Sequence, residues 1–146
     1  MERQSFRAEK VPGMILVDTS VWVDFFRGAD SPERRALHRL IAEEEDLCLA
    51  GIILTELLQG IKNDRDFHKL KAYLLDFPCF GTKEVETYLH AGQIFRECRK
   101  KGKTVRKTVD CVIAAICIEN NLILLHKDSD FERIQKCTSL KCYQVI

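Results

Sequence analysis

The sequence has no apolar run approaching the ~20 residues that a membrane-spanning helix needs, so a helical membrane protein is not expected. It has no CxxC pair. Seven cysteines stand at 48, 79, 98, 111, 117, 137 and 142, an odd number without paired spacing, which argues against a disulfide framework or a compact zinc site. The four histidines (38, 68, 90 and 126) show no metal-ligand spacing. There are no internal repeats and no low-complexity segments. There is almost no net charge either: 23 basic residues face 22 acidic ones, a formal +1, so the global balance selects no partner.

What is present is ordinary for a soluble globular protein, with 46% hydrophobic and 31% charged residues. A chain of 146 residues suits one domain and buries roughly 68–70% of its unfolded surface. Cys111 and Cys117 lie inside apolar runs and read as buried, reduced thiols. That fits a cytoplasmic location. Met1 to Gly13 is polar and charged, unlike a secretory signal. We read residues 1–13 as an N-terminal extension or tag and 14–146 as a single domain.

Met14 to Val17 is a short apolar run that stops at Asp18, the pattern of a buried strand. Leu47–Ala50 and Leu122–Leu125 repeat it, and Lys141–Ile146 is a candidate last strand. Helices fall between them. Ser31-Pro32-Glu33 is a strong start: a capping hydroxyl, a first-turn proline, then an acid. Ile52 to Leu58 is a short helix carrying Glu56, and Asp64 to Phe77 is another. Thr82 is expected to cap a helix with Val85, Leu89 and Phe95 inward. Thr108 is expected to cap Val109 to Glu119, which is apolar nearly all round and therefore buried on most sides. A last short helix is expected at Phe131 to Lys136. Strands alternating with helices imply an α/β fold: a central, mostly parallel sheet of four or five strands sandwiched by helices.

In open parallel sheets, ligands bind beyond the carboxyl ends of the strands. Asp18 follows one strand, and Asp128 and Asp130 follow another. Asp110 sits in the first turn of the buried helix, where the helix dipole offsets its charge by only about 0.3–1 kcal/mol. Glu56 lies in a strongly apolar stretch. Each acid has a structural explanation of its own, as a cap, a first-turn acid or an exposed side chain. If they converge, their repulsion needs a divalent cation. Mg²⁺ or Mn²⁺ would take such oxygen ligands, activate a water and offset charge on a phosphodiester.

One local charge excess stands out. Arg96 to Lys107 carries seven basic residues against one acid. It is either a solvated helix end or a surface in which Lys103, Arg106 and Lys107 hold substrate phosphates beside Asp110. Arg27 is a weaker candidate for contact, and His126 reads as a bystander near the acids.

The runs Met14-Ile-Leu-Val-Asp-Thr-Ser-Val-Trp22, Thr55-Glu-Leu-Leu-Gln-Gly60, Asp110-Cys-Val-Ile-Ala-Ala115 and Leu125-His-Lys-Asp-Ser-Asp-Phe131 together resemble a PIN domain. More narrowly they resemble the VapC toxins of bacterial and archaeal toxin–antitoxin pairs. The resemblance covers nearly all of residues 14–146. It implies a three-layer PIN-like fold and an Mg²⁺- or Mn²⁺-dependent endoribonuclease. Asp18, Glu56, Asp110 and one or both of Asp128 and Asp130 would be the catalytic metal ligands. Of the last two, one would bind the ion and the other orient it. Thr19 or Ser20 would hydrogen-bond a carboxylate or a phosphate. A homodimer is implied, as is an antitoxin whose tail fills a groove, with the helices at Ser31–Ile41 and Asp64–Phe77 as candidate clamps. Two other readings are a non-catalytic RNA- or protein-binding module and a phosphotransfer domain using Asp18. The latter lacks a second acid at DxD spacing beside Asp18.

Overall fold

Three short runs without a polar residue form the centre of the sheet. They are β1 (Ile15–Val17), β2 (Leu47–Ala50) and β4 (Ile123–Leu125). Only Ile123 among them is less than fully buried, as expected of strands covered on both faces. The computed structural model describes residues 13–145. Residues 1–12, most of the expected N-terminal extension, and Ile146 lie outside the described residues. Two short strands complete the sheet, β3 (Cys79–Phe80) and β5 (Lys141–Cys142). The order is β3-β2-β1-β4-β5, and every pairing is parallel.

Among the described residues, seven helices connect the strands: α1 (Thr19–Arg27), α2 (Pro32–Ala42), α3 (Gly51–Gln59), α4 (Asp64–Leu74), α5 (Glu84–Lys100), α6 (Thr108–Glu119) and α7 (Ser129–Cys137). Helices α5, α6 and α7 pack on one another, whereas α1 packs against α2 and α3, and α3 against α4. The α/β, parallel-sheet expectation holds. Ser31 caps α2, its Oγ accepting from Arg34 N at 3.0 Å with Pro32 behind it. Gly28 ends α1 at φ 70°, a left-handed position suited to glycine.

Several local expectations need correction. Strand β3 has only two residues and no signal of its own. Strand β5 ends at Cys142, and α4 ends at Leu74 rather than Phe77. Neither Thr82 nor Thr108 is a cap. Lys83 and Lys107 hold those positions without a capping side chain. Helix α5 is also rotated from expectation. Val85 and Leu89 are each 68% exposed, and Phe95 only packs at the core edge. Thr87, Ala91, Ile94 and Cys98 face inward instead. The reason is polar. Glu119 at the end of α6 accepts from Thr87 Oγ1 at 2.7 Å and pairs with His90 Nδ1 at 2.9 Å, while Thr87 accepts from Lys83 N. These bonds set the face that α5 turns toward α6.

Helix α6 is buried as its sequence demands, from Asp110 and Cys111 through Ile113 to Cys117. All seven cysteines are free thiols. Burial pushes Cys111 and Cys142 up to about 11, so both stay protonated at neutral pH.

Candidate metal and nuclease site

The strand order reverses between β1 and β4, and there the carboxyl ends of two neighbouring strands open a crevice. The ends are tied directly, Asp18 N donating to Leu125 O at 2.9 Å. Asp18 leaves β1 and caps α1. Its carboxylate accepts from Ser20 N at 3.2 Å and from Ser20 Oγ at 2.6 Å. Burial raises its pKa, Ser20 opposes that, and the charge of Glu56 adds to it. Glu56, on α3, accepts from Thr19 Oγ1 at 2.6 Å. Thr19 and Ser20 therefore each orient one acid.

Across the crevice, Asp110, Asp128 and Asp130 each offer an oxygen within 4.8 Å of the others. Asp18 and Glu56 lie outside this tight trio. Asp18 is nonetheless close enough for its charge to raise the pKa of Asp110. The five sequence-predicted acids thus converge in two groups.

The trio is not uniform. Asp130 is fully buried, and its Oδ2 accepts from Arg106 N at 3.1 Å and Lys107 N at 3.0 Å. Its Oδ1 accepts from Arg133 at 2.9 Å. Asp130 therefore supplies the acceptor that the entry to α6 lacks locally. Asp128 caps α7, its Oδ1 accepting from Asp130 N at 2.9 Å. Its Oδ2 takes a hydrogen bond from Lys107 Nζ. Burial works to raise its pKa, but Lys107 and the α7 backbone outweigh that and lower it.

Asp110 is different again. It is 4% exposed, and its Oδ2 has no hydrogen-bond partner. Among the described residues, only the Trp22 indole N–H shares that condition. Lys107 Nζ stands 3.7 Å away, too far for a hydrogen bond. Burial, countered by Lys107 and reinforced by Asp128 and Asp18, pushes its carboxyl up to about 7. A buried carboxylate oxygen without a donor is costly unless something pairs it. An oxygen-only donor set with such an unpaired atom suits a hard divalent cation such as Mg²⁺ or Mn²⁺.

The predicted basic residues divide as well. Lys107 faces the acids, and Arg106 reaches Ser129 Oγ at 3.3 Å and Asp130 at 3.7 Å. Lys103 instead lines a cavity of about 300 Å³ with Glu132 and Arg133. His126 does more than a bystander would. Its Nδ1 accepts from Asp128 N at 3.1 Å, and burial lowers its pKa, favouring the neutral ring that this bond needs.

Sequence reasoning missed Arg133, Asp24 and Lys127. Arg133 had a usable signal, a cation three residues after Asp130 on one helix. The salt bridge of Lys127 Nζ to Asp24 at 2.6 Å had none, because the two stand 103 positions apart. With Ser31 Oγ donating to Asp24 at 2.9 Å, it ties the loop before Asp128 to α1 and α2.

A groove of about 700 Å³ runs from this crevice between α1, α3 and α4. Val23, Phe26, Arg27, Lys69 and Tyr73 line it, and Glu56 stands in its wall. Beneath it, the rings of Phe25, Phe26, Tyr73 and Phe77 lie 5.5–6.2 Å from Trp22. Helix α4 lines this groove and α2 does not.

The PIN domain family matches residues 15–136. This chain belongs to the PIN domain family. Within it, the chain is 33% identical over 129 residues to ribonuclease VapC11 of Mycobacterium tuberculosis, covering 88% of this chain and 96% of the relative. VapC ribonuclease Mb1587 of Mycobacterium bovis matches to the same extent. These place the PIN domain on the VapC branch. Its fold is also that of VapBC2 from Rickettsia felis, solved bound to a promoter DNA fragment. The TM-score is 0.68 at 19% identity, over 89% of this chain and 97% of that one. Among the described residues, no helix of this PIN domain is long and apolar enough to cross a membrane.

Proposed function

We propose that this PIN domain, taken as residues 14–146, is the toxin of a toxin–antitoxin pair, an endoribonuclease that depends on Mg²⁺ or Mn²⁺. The observation that carries the reading is Asp110 Oδ2, buried without a donor among carboxylates at the strand-order reversal. The VapC names of its relatives at 33% identity support the substrate class.

Asp110 and Asp128 are the direct ligands in this reading, with Asp18 facing them across the crevice. Asp130 has three donors on its two oxygens already and acts as the residue that orients the others. When bound, the ion supplies Lewis acidity toward the phosphodiester and the attacking water. Glu56, held by Thr19 and lining the groove, orients that water or the ribose in this reading. Arg106 and Lys107 lie at the rim, where a phosphate would meet them, and Lys103 stands further along the same basic run. Hydrolysis adds water across a P–O bond and needs no covalent enzyme intermediate.

The groove that ends at Glu56 is the proposed seat of the antitoxin tail. Its apolar floor suits the apolar face of an amphipathic segment, and its rim offers both cations, Arg27 and Lys69, and acids, Glu56 and Asp66. The exposed Val85, Tyr88 and Leu89 on α5 are the proposed contact of a homodimer.

The test is cleavage of total cellular RNA with mapping of the cut ends. Mn²⁺-dependent products that disappear in chelator and in Asp110→Asn are expected. Equal cleavage in chelator, or full activity in a folded Asp110→Asn, would sink the proposal.

A further inference from the structure

Lys107 occupies an unusual position for a surface cation. Its Nζ hydrogen-bonds Asp128 Oδ2 and stands 3.7 Å from Asp110 Oδ2, the buried atom without a donor. These are the two carboxylates that the proposed function assigns as direct ligands. The ammonium therefore sits against the same two oxygens that a divalent ion would take. Both cations cannot hold that position, because their charges repel and their volumes overlap.

The local architecture separates the fixed part of Lys107 from its movable part. Its backbone N–H is pinned to Asp130 Oδ2 at 3.0 Å, at the entry to α6. Its side chain is 54% exposed. The four-carbon stem can swing into solvent without breaking packing, since its charged end is not enclosed. Arg106 is not equivalent. Its guanidinium lies over Ser129 and Asp130, whose oxygens are otherwise engaged.

We propose that Lys107 is a built-in counter-ion that competes with the divalent metal for Asp110 and Asp128, and that metal binding releases its ammonium to the rim of the site. This rests on the metal-dependent reading above. In the metal-free protein Lys107 offsets the repulsion among the acids. In the loaded protein the same amine stands free beside the ion, where a substrate phosphate would find it. One side chain thus couples ion binding to substrate binding.

Two measurements on the intact chain test this, and neither reads activity. The first is calorimetric titration with Mn²⁺. Lys107→Met, which keeps the stem and removes the charge, should bind roughly three- to fivefold more tightly than wild type, the size set by a half-exposed ion pair. Equal or weaker binding by Lys107→Met would overturn the proposal. The second is acylation of Lys107 by a succinimidyl ester, quantified by peptide mass spectrometry. Labelling of wild type should rise on Mn²⁺ saturation and stay constant in Asp110→Asn. Unchanged or reduced labelling, in protein that calorimetry shows to bind Mn²⁺, would also overturn it. The metal site and the competition fail differently. Absence of Mn²⁺ binding by wild type removes the metal site and the competition together, whereas normal Mn²⁺ binding with a static Lys107 removes only the competition.

Discussion

Asp110 and Asp130 are both buried carboxylates of the same crevice, 4% and 0% exposed, yet they are built oppositely. Asp130 is surrounded by donors: two backbone N–H groups and the guanidinium of Arg133. Asp110 has an oxygen with none. Burial alone therefore does not mark a functional acid. A buried acid whose donors are all supplied by the chain holds the fold together. One left without a donor is a liability that a ligand can relieve.

The comparison can be broken by substitution. Asp130→Ala should be the most damaging to stability, because it leaves the N–H groups of Arg106 and Lys107 unpaired at the entry to α6. A loss of about 3 kcal/mol is expected by urea denaturation. A loss below about 1 kcal/mol would show that Asp130 is not the anchor described here. Asp110→Asn should act in the opposite sense in chelator. It removes a buried charge without a donor, and should raise stability by roughly 1–3 kcal/mol at pH 8. A decrease would mean that the ion pair with Lys107, 3.7 Å away, already outweighs the cost of burying Asp110 in the metal-free protein.

The most diagnostic effect is the pH dependence. The Asp110 carboxyl is pushed up to about 7 from an unfolded value of 3.8. Folding thus favours its protonated form. The resulting penalty is absent below pH 4, grows as pH rises through the window and is complete above 7. Asp128 has the opposite sign: its lowered pKa gives stability above pH 4 that is lost in acid. Chelated wild type should therefore lose stability between pH 5 and 7 relative to Asp110→Asn, measured as melting temperature in both. Parallel curves for the two proteins would refute the assignment. Saturating Mn²⁺ should reverse the sign of the wild-type slope, because the ion binds the deprotonated carboxylate.

Much of this was legible in one dimension. The apolar runs at Ile15, Leu47 and Ile123 could only be buried strands, and Ser31-Pro32 could hardly be anything but a helix start. Helix α6 declared its burial by lacking a polar face. The acids stood out because they follow those runs or interrupt them. The rotation of α5 was hidden, since Val85 and Leu89 fit an apolar stripe as well as Ala91 and Ile94 do. The contacts of Glu119 with Thr87 and His90 decided between them, at separations of 32 and 29 residues. Strand β3 was hidden because two residues carry no periodicity.

The sequence by itself determined the chemistry on offer: five carboxylates, a basic run leading into α6, strands with acids at their ends, and a chain whose motifs resemble one family. It determined these because residue type and short-range spacing are one-dimensional properties. The tertiary structure decided how the acids divide. Asp128 and Asp130 are two positions apart and chemically identical, and the one local cue that separates them is Arg133, three residues after Asp130. Their difference comes from what the fold brings to each: the backbone before α6 and Arg133 to Asp130, the movable Lys107 to Asp128. It also decided that Asp110 Oδ2 would be left without a donor, an absence that exists only once the surrounding donors have been committed to other acceptors.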